Sequence, residues 1–287
     1  MSPSYDTAPR TYNSLTARLR NIAEEGRSPE IRLVSMLSVT VVAQMLPSGV
    51  VVKGGTALSL RGGPDATRFS RDIDAIRPGD CDAEAFVAAL RSRLAEGWNG
   101  FTGTIRPGRH AAPVGVPEED LMQPFEVKLS YNGRSVMTVD LELVTDEDRS
   151  ATAAVDAMAP EIVRLFTNLG FPAPRPVPVL TSEYQIVQKL HACTTPDGNG
   201  QNGRSHDLVD IQLLSQLEPP NPETLNEIGQ RVFSARGHGS WPPAVVAWSG
   251  WDEKYPERAE GTDVLPLDEA IAWANGLIAE AVAAGKP

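Results

Sequence analysis

Two aspartates with one apolar residue between them, Asp72-Ile73-Asp74, have the types and spacing in this chain that most directly suggest chemistry. In a strand, where side chains alternate between faces, both carboxylates point the same way while Ile73 packs behind them. Carboxylates so placed can hold Mg2+, which keeps several waters and takes phosphate oxygens as its remaining ligands. Upstream, the apolar run Val50 to Val52 leads into Lys53-Gly54-Gly55-Thr56. Glycines after a short strand let the backbone turn tightly and approach a phosphate, and a following helix offers free N–H groups and the positive end of its dipole. Arg68, Ser70 and Arg71 stand just before Asp72 and make a cationic bridge between the two segments. A Gly-Gly pair alone is an ordinary turn and a D-x-D alone a solvated strand edge. In this order they describe a phosphate cradle followed by a metal-binding strand, a combination suited to a nucleoside triphosphate.

Further candidates lie downstream. In the alternating run from Ser135 to Val144, Asp140 and Glu142 share a face, so one of them can supply a third carboxylate. The other reading of the pair is the polar outer face of an antiparallel sheet. Lys189 lies on a predicted helix with His191, and Asp207 and Asp210 sit three apart on one face of the next helix. Taken alone, a lysine on an apolar-faced helix is a snorkelling surface residue. The histidines have neither metal-ligand spacing nor a matching nucleophile and read as structural.

Positioning these groups requires an α/β lobe and a helical one. Helices are predicted from Tyr12 to Glu25, and from Ser28 as N-cap with Pro29 at its first position. Another follows the glycines as far as Leu60, and Asp82 caps one that stops at Gly97. Phe101 to Arg106 reads as a strand, 107 to 120 as a loop, and Asn132-Gly133 joins two β-rich runs as a hairpin. The expected division is 1–150 for the α/β lobe and 151–287 for the helical lobe. In the latter, Ser182 with Gln185 reads as a capping box and Ser205 as the next cap. Three tryptophans between Trp241 and Trp251 are expected to pack over the helices rather than to stack bases.

With 287 residues the chain suits two lobes, and no apolar run approaches the roughly 18 residues needed to span a bilayer, so a cytoplasmic protein with no membrane partner is expected. Cys81 and Cys193 are too few and too far apart for a disulfide framework or zinc site. A net charge of -11 excludes a protein that coats nucleic acid nonspecifically, though not a local groove built from Arg61, Arg68, Arg71 and Arg77 and extended by Arg10, Arg18, Arg20 and Lys189.

The segments K-G-G-T-A-L, R-F-S-R-D-I-D, K-L-H-A and H-D-L-V-D together resemble the nucleotidyltransferase fold and, more closely, the AbiEii/AbiGii toxin family, with the mycobacterial MenT toxins as the nearest likeness. The interval from Gly55 to Asp72 exceeds that of general nucleotidyltransferases, a feature the toxin family shares. The resemblance implies an N-terminal nucleotidyltransferase-fold lobe with a mixed or antiparallel sheet, a mainly α-helical C-terminal lobe and a cognate antitoxin. It further implies Mg2+-dependent transfer of nucleotides, pyrimidines preferred, from a nucleoside triphosphate to the 3′ end of tRNA. Asp72, Asp74 and Asp140 would then be metal ligands, with Glu142 as the alternative third. Lys53, Gly54, Gly55, Thr56, Ser70 and Arg71 would bind nucleotide, and Lys189 would contact its phosphates. Asp210 would either position Lys189 or act as general base. A phosphate on Ser70 would set negative charge against the metal carboxylates, a control the resemblance also implies. The alternatives are AMP transfer to a protein hydroxyl and a catalytically silent nucleotide-binding module.

Overall fold

The structure, a computed structural model, describes residues 3–26, 28–63, 72–79, 82–108, 123–145, 150–237 and 239–285. Arg68, Ser70, Arg71, Cys81 and most of the loop expected at 107–120 lie outside the described residues. The chain divides into two compact units, the described residues up to 179 and those from 180 onward.

The first unit contains, in order, α1 (Tyr12–Glu25), α2 (Glu30–Gln44), β1 (Val51–Lys53), α3 (Gly54–Gly62), β2 (Asp72–Arg77), α4 (Ala83–Glu96), β3 (Phe101–Pro107), β4 (Gln123–Tyr131), β5 (Arg134–Thr145), β6 (Ala154–Ala157), α5 (Pro160–Asn168) and β7 (Val177–Leu180). Among the described residues seven strands form one sheet in the order β3-β4-β5-β2-β1-β7-β6. β2 runs antiparallel to β1 and parallel to β5, and β3, β4 and β5 make an antiparallel wing, so the sheet is mixed. Asn132 and Gly133 both have positive φ, 45° and 79°, which is the backbone a two-residue hairpin needs to follow the twist of its strands.

One sheet face is apolar. Val52, Ile73, Ala75, Val127, Leu129, Val139, Leu141 and Leu143 join Leu15, Leu19 and Leu37 of α1 and α2 in the core. The opposite face keeps Thr104, Arg106, Lys128, Thr138 and Asp140 exposed. This is the period-two pattern of a sheet with one wet side. The unit closes later than residue 150. Phe166 of α5 meets Trp98 edge-on at 5.6 Å, and Phe171 lies 5.5 Å from Phe101. Burial of these rings holds 151–179 with the sheet, past the division expected at 150.

The second unit is helical, with α6 (Ser182–Thr194), α7 (Ser205–Leu217), α8 (Pro222–Arg236), α9 (Trp251–Ala259) and α10 (Leu267–Ala284). The expected capping box on α6 does not form. The cap position is Thr181, which leaves Gln185 one residue too late to reach back, and its amide donates to the Leu180 carbonyl instead. Ser205 likewise lies inside α7, capped in position by Arg204. The tryptophans pack over the helices as expected. Trp241 donates to Asn226 Oδ1, Trp248 to the Cys193 carbonyl and Trp251 to the Asn202 carbonyl. Cys193 is buried, and burial, followed by the neighbouring Asp207 charge, pushes its thiol up to about 12. Among the described residues no helix is long and apolar enough to cross a membrane.

Candidate functional site

Two polar constellations stand out, one in each unit. In the first unit the register of β2 on β5 sets Asp72 beside Asp140 and Asp74 beside Glu142. Paired residues of a parallel ladder share a face, and adjacent strands are about 4.8 Å apart, so four carboxylates form two rows on the wet side of the sheet. Between them Ile73 and Leu141 are fully buried on the opposite side. Asp72 and Asp140 are exposed, while Asp74 and Glu142 are half-buried. Asp140 and Glu142 thus both reach the Asp72/Asp74 strand, each beside a different aspartate.

The Lys53-Gly54 turn adjoins this row, because Lys53 is the register partner of Asp74. Gly54 has φ 66°, and a Cβ placed on it would lie 1.9 Å from Asp74 Oδ2. Both facts require glycine: the backbone is left-handed, and the Asp74 carboxylate occupies the side-chain space. α3 starts at Gly54, so its first N–H groups lie next to the carboxylates. Thr56 is 1% exposed and its hydroxyl donates to the Asp72 carbonyl, tying α3 to the start of β2. Its side chain therefore holds the site together from behind.

One carboxylate on this face was not anticipated. Glu126 on β4 is the register partner of Asp140 and accepts a hydrogen bond from Arg106 Nε at 2.8 Å. Alternation along β4 was the signal that could have found it. Several arginines expected to extend a basic groove are engaged elsewhere. Arg18 donates to the Leu169 carbonyl at 2.7 Å, Arg77 to Thr145 at 2.9 Å, and Arg20 faces Glu30 at 3.6 Å.

In the second unit Lys189 of α6 is 8% exposed and its ammonium donates to Asp207 Oδ1 at 2.9 Å and Asp210 Oδ2 at 2.7 Å, both carboxylates being fully buried. Asp207 Oδ2 accepts from Arg204 Nε at 2.7 Å. Burial disfavours the Asp207 charge, but Lys189 and Arg204 outweigh it and hold the carboxyl well below the usual carboxylate range. Lys189 is no snorkelling surface residue; it is the centre of a buried ion cluster. The contact to Asp210 is the one a positioning role requires. Asp207 and Arg204 were not assigned from sequence, although their i, i+3 spacing is a readable ion-pair signal.

Among the described residues no three His, Cys, Asp or Glu side chains converge into a ready-made metal cluster. The first unit's donor set nevertheless suits a hard divalent cation: all oxygen, partly exposed and on adjacent strands, where one or two carboxylates are completed by water and phosphate oxygens.

Comparisons with known proteins agree with this arrangement. MenT4, a nucleotidyltransferase toxin from Mycobacterium tuberculosis H37Rv, superimposes with a TM-score of 0.53 at 14% identity, covering 94% of this chain and 99% of that one, which supports the fold. The Megavirus polyadenylate synthase matches only loosely, with a TM-score of 0.36 at 10% identity over 77% of this chain and 40% of that one. A search of curated proteins found no match. Residues 40–277 match the family described as nucleotidyl transferase AbiEii toxin, type IV TA system. That span takes in both constellations, and the chain belongs to the AbiEii family of nucleotidyltransferase toxins.

Proposed function

We propose that this protein transfers a nucleoside monophosphate, preferably a pyrimidine nucleotide, from a nucleoside triphosphate to the 3′ end of tRNA. The RNA 3′-oxygen bonds to the α-phosphorus and pyrophosphate leaves. A tRNA so extended is blocked for aminoacylation, and translation in the cytoplasm stops until the cognate antitoxin intervenes. The observation that most supports this reading is the pairing of Asp72 with Asp140 and of Asp74 with Glu142 beside the Gly54 turn.

Asp72, Asp74 and Asp140 are the proposed holders of Mg2+, which when bound supplies positive charge to the triphosphate oxygens. Asp140 is preferred as third ligand because it shares the exposure of Asp72, whereas Glu142 is half-buried. Gly54 and Gly55 open the first amides of α3 to phosphate oxygens. Lys53, Lys189 and Arg71, the residue before Asp72, offset the negative charge that builds during transfer, and Ser70 completes the nucleotide contacts. Asp210 positions Lys189 rather than serving as general base, since its carboxylate already holds the ammonium at 2.7 Å.

The test is incubation of the purified chain with total tRNA, Mg2+ and each labelled nucleoside triphosphate separately. Label on tRNA from CTP or UTP, strongest of the four, is the expected result. Label on protein instead of RNA would replace the acceptor by a protein hydroxyl. No label anywhere would remove transfer altogether.

A further inference from the structure

The buried cluster of the second unit has one member that reaches water. The Arg204 side chain is 54% exposed, whereas Asp207, which holds it, is fully buried and the Lys189 side chain is 10% exposed. Asp207 divides its two oxygens between the cations, Oδ1 to Lys189 and Oδ2 to Arg204. Arg204 uses only Nε for this contact, and among the described residues its two terminal nitrogens make no hydrogen bond. The backbone of Arg204 is fixed as well. Its N–H donates to Asn202 Oδ1, and the Asn202 amide is anchored to the carbonyls of Ala192 and Thr195.

A surface arginine normally loses side-chain entropy when it orders around a ligand. Here a buried carboxylate and a pinned loop have already restricted it. Within this cluster Asp207 faces Lys189 and Arg204, Asp210 faces Lys189, and His206 Nε2 lies 3.8 Å from Asp207 Oδ1. The exposed guanidinium edge keeps the planar donor geometry that matches a phosphate bidentately.

We propose that Arg204, positioned by Asp207, binds a phosphate group beside Lys189, a role that extends the transfer reading above by adding a second cation of this unit to substrate binding. Asp207 is a positioning residue: one carboxylate sets both cations, and neither of its oxygens remains for substrate.

The deciding experiment is calorimetric titration of the full chain with inorganic tripolyphosphate and, separately, with a short single-stranded RNA ending in a 3′-hydroxyl. Wild type, Arg204→Gln and Arg204→Lys are compared, with melting temperature measured for each. Loss of one charge-assisted, bidentate contact should weaken tripolyphosphate binding about tenfold or more in Arg204→Gln, with partial recovery in Arg204→Lys. The melting temperature should hold, because the pair is half-exposed. In a transfer assay KM for the nucleotide should rise while kcat changes little. Weakened RNA binding in place of tripolyphosphate binding would assign the phosphate to the RNA backbone. Unchanged binding of both probes by Arg204→Gln, or no binding of either by wild type, would overturn the inference. Asp207→Asn should reproduce the binding loss at a lower melting temperature, and because that variant can unfold, the Arg204 pair carries the decision. A wild type that labels no tRNA but binds tripolyphosphate through Arg204 would sink the transfer reading and leave this one standing.

Discussion

The two constellations are built on opposite principles. On the sheet of the first unit, carboxylates accumulate on a wet face, with Asp72 and Asp140 exposed and alongside each other. In the helices of the second unit, two carboxylates with no solvent exposure are matched by Lys189 and Arg204. Like charges gathered in water cost little to keep and invite a cation, whereas buried charges persist only when paired. Stability and activity should therefore separate: substitutions on the sheet should lower transfer and leave the fold, while substitutions of the buried cluster members Lys189, Asp207 and Asp210 should lower both.

The largest effect is expected from Lys189→Met. It leaves Asp207 and Asp210 buried without their shared cation, at a cost of about 3–5 kcal/mol, read by chemical denaturation. A loss below about 1 kcal/mol would mean that water reaches the cluster and would blur the contrast with the sheet. Gly54→Ala comes next. A left-handed alanine costs about 1–3 kcal/mol, and its methyl would displace the Asp74 carboxylate, so transfer should fall further than stability does. Asp140→Asn against Glu142→Gln sharpens the sheet half: the first should slow transfer by about tenfold more than the second, and the reverse order would make Glu142 the third carboxylate.

The response to pH should distinguish the units again. Asp207 is held below its ordinary value, so the stability it contributes is full above about pH 4 and is lost as pH falls through its folded value. Tryptophan fluorescence, which Trp241, Trp248 and Trp251 make mainly a report on the second unit, should show unfolding that steepens below that point, with a shallower slope in Asp207→Asn. A wild-type profile below pH 4 no steeper than that of Asp207→Asn would remove the ion cluster as a source of stability. The smallest effect is expected for Arg106→Ala, whose pair with Glu126 is exposed and should contribute less than about 1 kcal/mol by thermal melting.

Much of this was legible in the sequence where one local rule dominates. The period-two pattern around Ile73 and Leu141 placed both carboxylate pairs on one face, and Asn132-Gly133 fixed the hairpin, because alternation and left-handed turns are short-range properties. α1 forms over the expected span, Tyr12 to Glu25. Long-range packing was less legible. Nothing local tells that the Phe166 and Phe171 rings bury against Trp98 and Phe101, so the expected division at 150 falls before a segment that belongs with the sheet. At α6, a one-residue shift in the start undid a capping box that the sequence pattern supports. In the candidate site the less legible roles were those that depend on a partner in another element. Thr56, expected among the nucleotide-binding residues, is turned to the Asp72 carbonyl, and Asp207, not assigned from sequence, joins α6 to Arg204. Composition announces neither contact, since each is made only once the elements pack.

The carboxylates shared by β2 and β5 are expected to carry out transfer while contributing little to the fold. The most direct measurement is the rate of nucleotide transfer to tRNA by Asp72→Asn, set beside its melting temperature, with Lys128→Ala on the same wet face as the control. Transfer lowered by about 10²–10³-fold at an unchanged melting temperature, with the control near wild type, is the predicted result. Transfer by Asp72→Asn at the wild-type rate would contradict the account, because the two carboxylate rows would then be no more than the polar side of a sheet.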